Sequence, residues 1–352
     1  MPLPGLPVTG APRGVLDLLN GADLGGPWSW SDAVMVLNVG AILSPAPERG
    51  DLMSNRGFNL VLFDRSGAPE YYCKVRPSHH TEALRGIRVL VALRDAGLDG
   101  LVPRTWEVAS TELLVQVSEH VPGVPFSQRI ARLGPAAMAR AAEEVLALAD
   151  RVSRTAAAVA PAELVGGGRV AIASRAAPVL EYLADGLLSP DQVAALGQAM
   201  EEAGEVPGLP QHGDLWAGNV VQRRDGWTLL DFELFGLVDV PLYDVLHFLR
   251  TTWYLRNGHK RRTAAATWLA SLAGDSADTA LARTALRSQC DAMGLTGAQV
   301  RGMVAYYVTD IAYRSHRRRV PGWMSERLVG EAAALGRMLR SGVDPVVSLL
   351  QA

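Results

Sequence analysis

Hydrophobic and polar positions along the chain divide it into a strand-rich part and a helix-rich part. Two runs rich in aromatic and β-branched residues, FNLVLFD at 58–64 and EYYCKV at 70–75, flank the turn-forming RSGAP, and the pattern predicts an antiparallel hairpin. From Thr81 to Asp95 (TEALRGIRVLVALRD) the period changes. Leu84, Ile87, Leu90, Val91 and Leu93 build a broad apolar side, which predicts a helix. ELLVQVSEHV is again strand-like and ends at Pro122-Gly123. Beyond it, Pro135–Val159, Ser174–Leu188 and Pro190–Glu202 have helical patterning, with Gly166-Gly167-Gly168 as a loop between them.

The segment 210–235 interrupts the helices. QHGDLWAGNVVQRRDGWTLLDFELF predicts a polar loop, a short strand VVQ, a turn centred on Asp225-Gly226 and a second strand WTLLDF. After Pro241 the sequence is helical to its end. Residues 1–50 are rich in Pro and Gly, and only Val34–Leu43 (VMVLNVGAIL) has the pattern of an ordered, buried segment, so this stretch is expected to be an N-terminal extension.

Composition narrows the class. The chain has 352 residues, 49% of them hydrophobic, with 34 basic and 36 acidic side chains and a net charge of -2. That mixture gives core enough for two lobes and excludes a disordered chain. It supplies no global basic field, so nucleic acid is not expected as a partner. Two cysteines, Cys73 and Cys290, are too few for a disulfide framework and point to reduced thiols and a cytoplasmic setting. The first thirty residues carry Asp17, Asp23 and several prolines and glycines without an uninterrupted apolar run, which predicts neither a signal peptide nor a membrane span.

The candidate chemistry sits in HGDLWAGN. Asp214 is followed by Asn219 at the spacing D-x-x-x-x-N, and Asp231 opens DFE at the end of the next hairpin. Phosphoryl transfer requires these residue types. Its loose transition state needs positioning and charge neutralisation, so one carboxylate orients the acceptor hydroxyl while an amide oxygen and a second carboxylate hold Mg²⁺ against the phosphates. An isolated HGD is usually a turn, but HGDxxxxN followed by a hairpin and DFE is hard to produce by accident.

These residues resemble the aminoglycoside phosphotransferase and choline kinase group of small-molecule kinases. The resemblance covers roughly Leu52–Phe248 and is strongest over His212–Phe248. It implies an α+β, bilobal protein-kinase-like fold: an N-lobe at 51–118 with a small antiparallel sheet, then a hinge and a larger, mainly helical C-lobe at 119–352. It also implies ATP and Mg²⁺ as cofactors. By the same resemblance Asp214 is the catalytic base, Asn219 and Asp231 are magnesium ligands, and His212 braces the loop. Lys74, at the end of EYYCKV, is the strand lysine that reaches the α and β phosphates, and Ser54 and Asn59 occupy the place of the loop over the nucleotide, although no GxGxxG is present. Backbone groups of Glu119 and Val121 are the hinge contacts to adenine. Trp216 also occurs in fructosamine-type kinases. Asp244 in PLYDVLHF is expected to be structural, capping backbone amides at a helix start.

The chain departs from the family in one respect. The lysine normally pairs with a glutamate on the following helix, and the acidic candidate there is Glu82, close after Lys74; matching the helix by its closing VLVAL puts Gly86 at the glutamate position instead. Either the helix is shifted or something else replaces the ion pair. GLPVTGAP lacks the Lys-Ser or Lys-Thr of a P-loop, and His79-His80 has no partners spaced for zinc and is expected to be exposed polar surface.

Charge bears on the acceptor. From Val245 to the C-terminus there are fifteen Lys or Arg against seven Asp or Glu, a difference of +8. A polycationic aminoglycoside needs a carboxylate-lined pocket. The clusters HKRR (259–262) and RSHRRR (314–319) suit an anionic metabolite or an acidic peptide segment better, unless they are solvated helix faces. The leading expectation is therefore phosphorylation of a hydroxyl on a sugar-like or natural-product acceptor. The alternative is a kinase of Ser/Thr side chains in a precursor peptide, working with a partner protein, and a catalytically silent scaffold is a third reading.

Overall fold

The structure is a computed structural model that describes residues 36–37, 58–63, 68–78, 80–111, 113–166, 168–257, 268–269, 276–317 and 322–346. A five-stranded antiparallel sheet comes first, in the order β1-β2-β3-β5-β4. Its strands are β1 (Val36–Leu37), β2 (Phe58–Phe63), β3 (Pro69–Pro77), β4 (Thr105–Ala109) and β5 (Leu113–Glu119). The predicted hairpin is β2–β3, with a register shift at Leu62/Phe63. Of the segment Val34–Leu43, only the two residues of β1 are described, as an edge strand pairing Val36 with Leu60. The edge strand β4 was not expected, because TWEVA is short and follows Pro103.

Strand geometry sends alternate side chains to opposite faces. Cys73 and Val75 of β3 are fully buried on one face. On the other, the register aligns Asn59, Lys74 and Gln116 in a polar row across three strands. Helix α1 (Thr81–Asp95) packs Ala83 and Ile87 against Leu114 of the sheet. His80 starts it, its Nδ1 accepting from the Ala83 N–H at 3.2 Å, so this histidine is a half-buried cap and not exposed surface. His79 lies outside the described residues.

The chain leaves the sheet at Glu119 and enters β6 (Val124–Pro125), which pairs with β9 (Val220–Gln222), itself paired with β10 (Trp227–Leu229). The second predicted strand is thus shorter than WTLLDF, ending before Leu230. β7 (Arg169–Ala171) pairs with β8 (Glu205–Pro207). The remainder is helical: α2 (Pro135–Val159), α3 (Ile172–Ala184), α4 (Pro190–Ala203), α5 (Tyr243–Asn257), α6 (Ala277–Met293), α7 (Gly297–Arg317) and α8 (Gly322–Arg340). Local signals explain several of these boundaries. Proline occupies the first turn of α2, and a Ser189–Gln192 capping box with Pro190 starts α4. The largest apolar cluster runs through these helices and includes Phe126, whose ring lies 5.2 Å from Trp227 and 6.0 Å from Phe248. Among the described residues no helix is long and apolar enough to cross a membrane.

Candidate active site

Three short pieces of chain converge where the sheet meets the helical part. The loop 212–219 is fixed from below by Asp244, at the start of α5. Its carboxylate accepts from the His212 N–H at 2.6 Å and the Gly213 N–H at 2.9 Å. Burial pushes the Asp244 carboxyl above the usual aspartate range, opposed by His212 and these backbone bonds. Asp244 therefore clamps the loop and does not cap its own helix. Gly213 has φ +79°, and a Cβ there would come within 2.9 Å of the Leu234 carbonyl, so the turn that presents Asp214 needs glycine on both counts.

His212 is buried beneath the loop, with its ring 4.9 Å from Phe232. Its Nε2 lies 2.7 Å from the Leu230 carbonyl oxygen, which can only accept, so Nε2 carries the proton. The bond ties the loop to the residue before Asp231.

Asp214 and Asn219 meet directly. The Asn219 Nδ2 donates to the Asp214 backbone oxygen at 2.9 Å and to its Oδ2 at 3.1 Å. That commits the amide nitrogen and leaves the amide oxygen for another ligand. Asn219 also accepts the Leu230 N–H on its main-chain oxygen at 2.8 Å, which brings it next to Asp231.

Asp231 is in the left-handed conformation, φ 63° and ψ 71°, which turns its carboxylate out of the β10 direction. Lys74 Nζ lies 2.6 Å from its Oδ1 and 3.1 Å from Glu233 Oε1. Burial alone would raise Asp231, but Lys74 outweighs it and holds this carboxyl below its ordinary range. For Lys74 burial acts downward, and Asp231 followed by Glu233 reverses it to a net rise. Glu233 also binds Arg76 at 3.0 Å, and Arg76 reaches Asn59 at 3.3 Å, so Asn59 takes part in the row beside the lysine.

Among the described residues, then, the acidic partners of Lys74 come from the DFE segment. The side chain of Glu82 and all of Ser54 lie outside them. Helix α1 offers Gly86 at this level, where a Cβ would stand 2.8 Å from the Phe232 carbonyl oxygen, and Arg85, whose guanidinium bonds the carbonyls of Leu164 and Gly236. Sequence reading missed Glu233, since only the first residue of DFE was weighed. It also missed His247, which lies one helical turn after Asp244 with its Nε2 3.4 Å from Asp214 Oδ1.

The donor set fits a small hard cation. Magnesium takes oxygen ligands and is usually held by one or two carboxylates plus phosphates, with water completing the shell. The amide oxygen of Asn219 and the carboxylate of Asp231, on segments tied by the Leu230–Asn219 backbone bond, are donors of that kind. Clusters of three or more His, Cys, Asp or Glu side chains able to hold a metal are absent among the described residues.

At the hinge, the Glu119 N–H is committed to the Arg104 carbonyl at 2.9 Å. A cavity of about 710 Å³ borders the hinge at Glu119–Pro122 and extends to Arg94, Asp99 and Arg223, but it includes none of Lys74, Asp214, Asn219 and Asp231. Of the basic runs near the C-terminus, Arg314 is half-buried while His316 and Arg317 are exposed. Arg314 is bound to Asp310 at 2.7 Å, His316 to Tyr182 at 2.8 Å and Arg317 to Tyr313, while HKRR, Arg318 and Arg319 lie outside the described residues.

Comparison with known proteins agrees on family and fold. The model of the phosphotransferase enzyme family APH matches residues 53–287. No curated protein matches the chain. A glucosamine kinase in complex with glucosamine, ADP and inorganic phosphate aligns at TM-score 0.51 and 16% identity, over 78% of each chain. The streptomycin–ATP ternary complex of APH(2")-IIa aligns at TM-score 0.53 and 13% identity, over 93% of this chain and 99% of that one. The antiparallel sheet, the helical remainder and the matched span agree: the chain belongs to the APH phosphotransferase family, the ATP-dependent kinases with a bilobal, protein-kinase-like α+β fold.

Proposed function

We propose that this kinase transfers the γ-phosphoryl group of ATP to a hydroxyl of a small, sugar-like or natural-product acceptor, with Asp214 as the base. The observation that carries the reading is the pairing of Asp214 with Asn219 at 3.1 Å, next to the Lys74–Asp231 pair at 2.6 Å. In this reading residues 51–118 form the nucleotide lobe, 119–352 the hinge and acceptor lobe, and 1–50 an extension.

Asp214 accepts the proton of the acceptor hydroxyl as its oxygen bonds to the γ-phosphorus; the bond from that phosphorus to the bridging oxygen breaks, and ADP leaves with the electron pair. Asn219 and Asp231 would hold Mg²⁺, which neutralises charge on the phosphates. Lys74, oriented by Asp231 and Glu233, binds the α and β phosphates. Backbone groups of Glu119 and Val121 would meet the adenine edge, and His212 keeps the loop against the Asp231 segment.

At least four of the ten described Lys or Arg side chains after Val245 are in ion pairs: Arg250 with Glu331, Arg301 with Asp344 and Glu202, Arg314 with Asp310, and Arg340 with Asp191. These pairs also occupy carboxylates of a stretch with seven Asp or Glu, which disfavours a polycation as acceptor.

The test is ADP release across sugars, amino sugars, nucleosides, aminoglycosides and peptides. Asp214→Asn should lower turnover on the best acceptor by about 10² to 10⁴ fold, the range of a general base, with ATP affinity retained. Turnover close to that of the unaltered protein would reject Asp214 as base.

A further inference from the structure

We infer that His247 is a positioning residue that orients Asp214, fixed as its Nε2–H tautomer by Tyr307. The inference rests on the reading of Asp214 as base. Asp214 has two carboxylate oxygens, and different elements restrain them. Oδ2 takes the Asn219 amide within its own loop, while Oδ1 faces Nε2 of His247, on α5, at 3.4 Å. The side chain of His247 is only 14% exposed, so its ring is held by its surroundings.

The direction of the bonds rests on the buried groups around His247. Glu331, completely buried on α8, is a carboxylate bound by Arg250 at 2.6 and 2.9 Å. A guanidinium can only donate. Tyr307 lies near this pair, and the charge of Arg250 acts downward on its hydroxyl, against the effect of burial. Tyr307 on α7 is fully buried, and burial first of all pushes its hydroxyl above the ordinary phenol range, so it keeps its proton. That proton is available to Nδ1 of His247, 3.2 Å away. With Nδ1 accepting, Nε2 must carry the hydrogen of the neutral ring, and Nε2 points at Asp214. A lone histidine in solution has no such instruction.

The consequence is mechanical. The carboxylate is met on both oxygens, Oδ2 by the Asn219 amide at 3.1 Å and Oδ1 by His247 Nε2 at 3.4 Å, and keeps a defined direction toward the acceptor. The two nitrogens of His247 join α5, α7 and the catalytic loop, so acceptor-side helices and base move as one unit. Catalytic contacts of this kind are often long without substrate and tighten in the complex.

The experiment has an arm that needs no acceptor. Imidazole ¹⁵N NMR of the full chain, with the His247 signal assigned by its loss in His247→Gln, should show a protonated Nε2 and a lone-pair Nδ1; in Tyr307→Phe the preference should relax toward a mixture. A mixture in the unaltered protein, or a preference untouched by Tyr307→Phe, overturns the assignment. The second arm follows ADP release with ATP and Mg²⁺, water or the best acceptor taking the phosphoryl group. His247→Phe should cost about tenfold to 100-fold in kcat at unchanged KM for ATP, the scale of a misplaced group. His247→Gln, which keeps an N–H donor, should recover much of the loss. In the Asp214→Asn background His247→Phe should cost little more, because its route of action is already gone. Full additivity there overturns the inference while leaving the base reading intact. A fully active Asp214→Asn rejects the base reading itself, whatever the NMR shows.

Discussion

Asp231 shows how one residue can be both strained and charged for a purpose. Its left-handed backbone turns the carboxylate toward the sheet, where Lys74 meets it at 2.6 Å. Its side chain is still 37% exposed, enough to bind further groups. Because Lys74 lowers its pKa against the effect of burial, the sign of its pH dependence is fixed. A carboxyl depressed in the folded state adds stability that is complete above its unfolded value, about 3.9, and is lost as pH falls through the lower folded value. Asp231→Asn should therefore flatten the acid limb of stability below about pH 4. Urea midpoints from pH 7 down to pH 3 check this, and parallel curves for the two proteins would show that the pair carries no linkage. The aspartate's place was legible in the sequence, since D-F-E closes the hairpin that follows HGDxxxxN. Its neighbour Glu233 was not, because nothing in the spacing says that a side chain two positions on points back to Lys74.

At the scale of elements, helix α1 decides what surrounds the lysine. A helix carrying a glutamate toward Lys74 would need room, and here Gly86 removes the side chain so that the helix backbone approaches the Phe232 carbonyl. Arg85, one residue earlier, ties the same helix to the carbonyls of Leu164 and Gly236. Among the described residues the acidic partners of Lys74 come from the DFE turn. Gly86→Ala puts a methyl 2.8 Å from a backbone oxygen that cannot swing aside. The expected cost is about 1 to 3 kcal/mol, the range for overpacking, despite alanine's better helix propensity. Denaturant unfolding checks the prediction, and a stabilised variant would mean that α1 has slack against the turn. The helix, the hairpin and the helical run after Pro135 were legible because periodicity over a long stretch is a strong signal. β4 and the two-residue strands β1 and β6 were not, since such short edges form only because a neighbouring strand already offers its hydrogen bonds.

For the whole molecule the question is what couples the sheet to the helices, because the proposed nucleotide site draws on both. Lys74 belongs to the sheet, Asn219 to the loop and Asp231 to the turn that joins them. Direct bonds already cross the boundary: the Thr228 hydroxyl to the Gly100 carbonyl at 2.6 Å and the Leu229 N–H to the Leu101 carbonyl at 3.0 Å. A ligand held by both parts stabilises the folded chain by mass action, about 2.7 kcal/mol at a hundred times its Kd. If the cation is held by Asn219 and Asp231 together with the phosphates, it should act only with the nucleotide present. ATP with Mg²⁺ should then raise the unfolding temperature more than ATP alone, and Mg²⁺ alone should do almost nothing. Asn219→Ala should remove most of the metal-dependent increment and keep the response to ATP alone, whereas Lys74→Met should weaken both. An ATP response indifferent to chelation of the metal would separate nucleotide binding from these two side chains, and the cation would have to be held elsewhere.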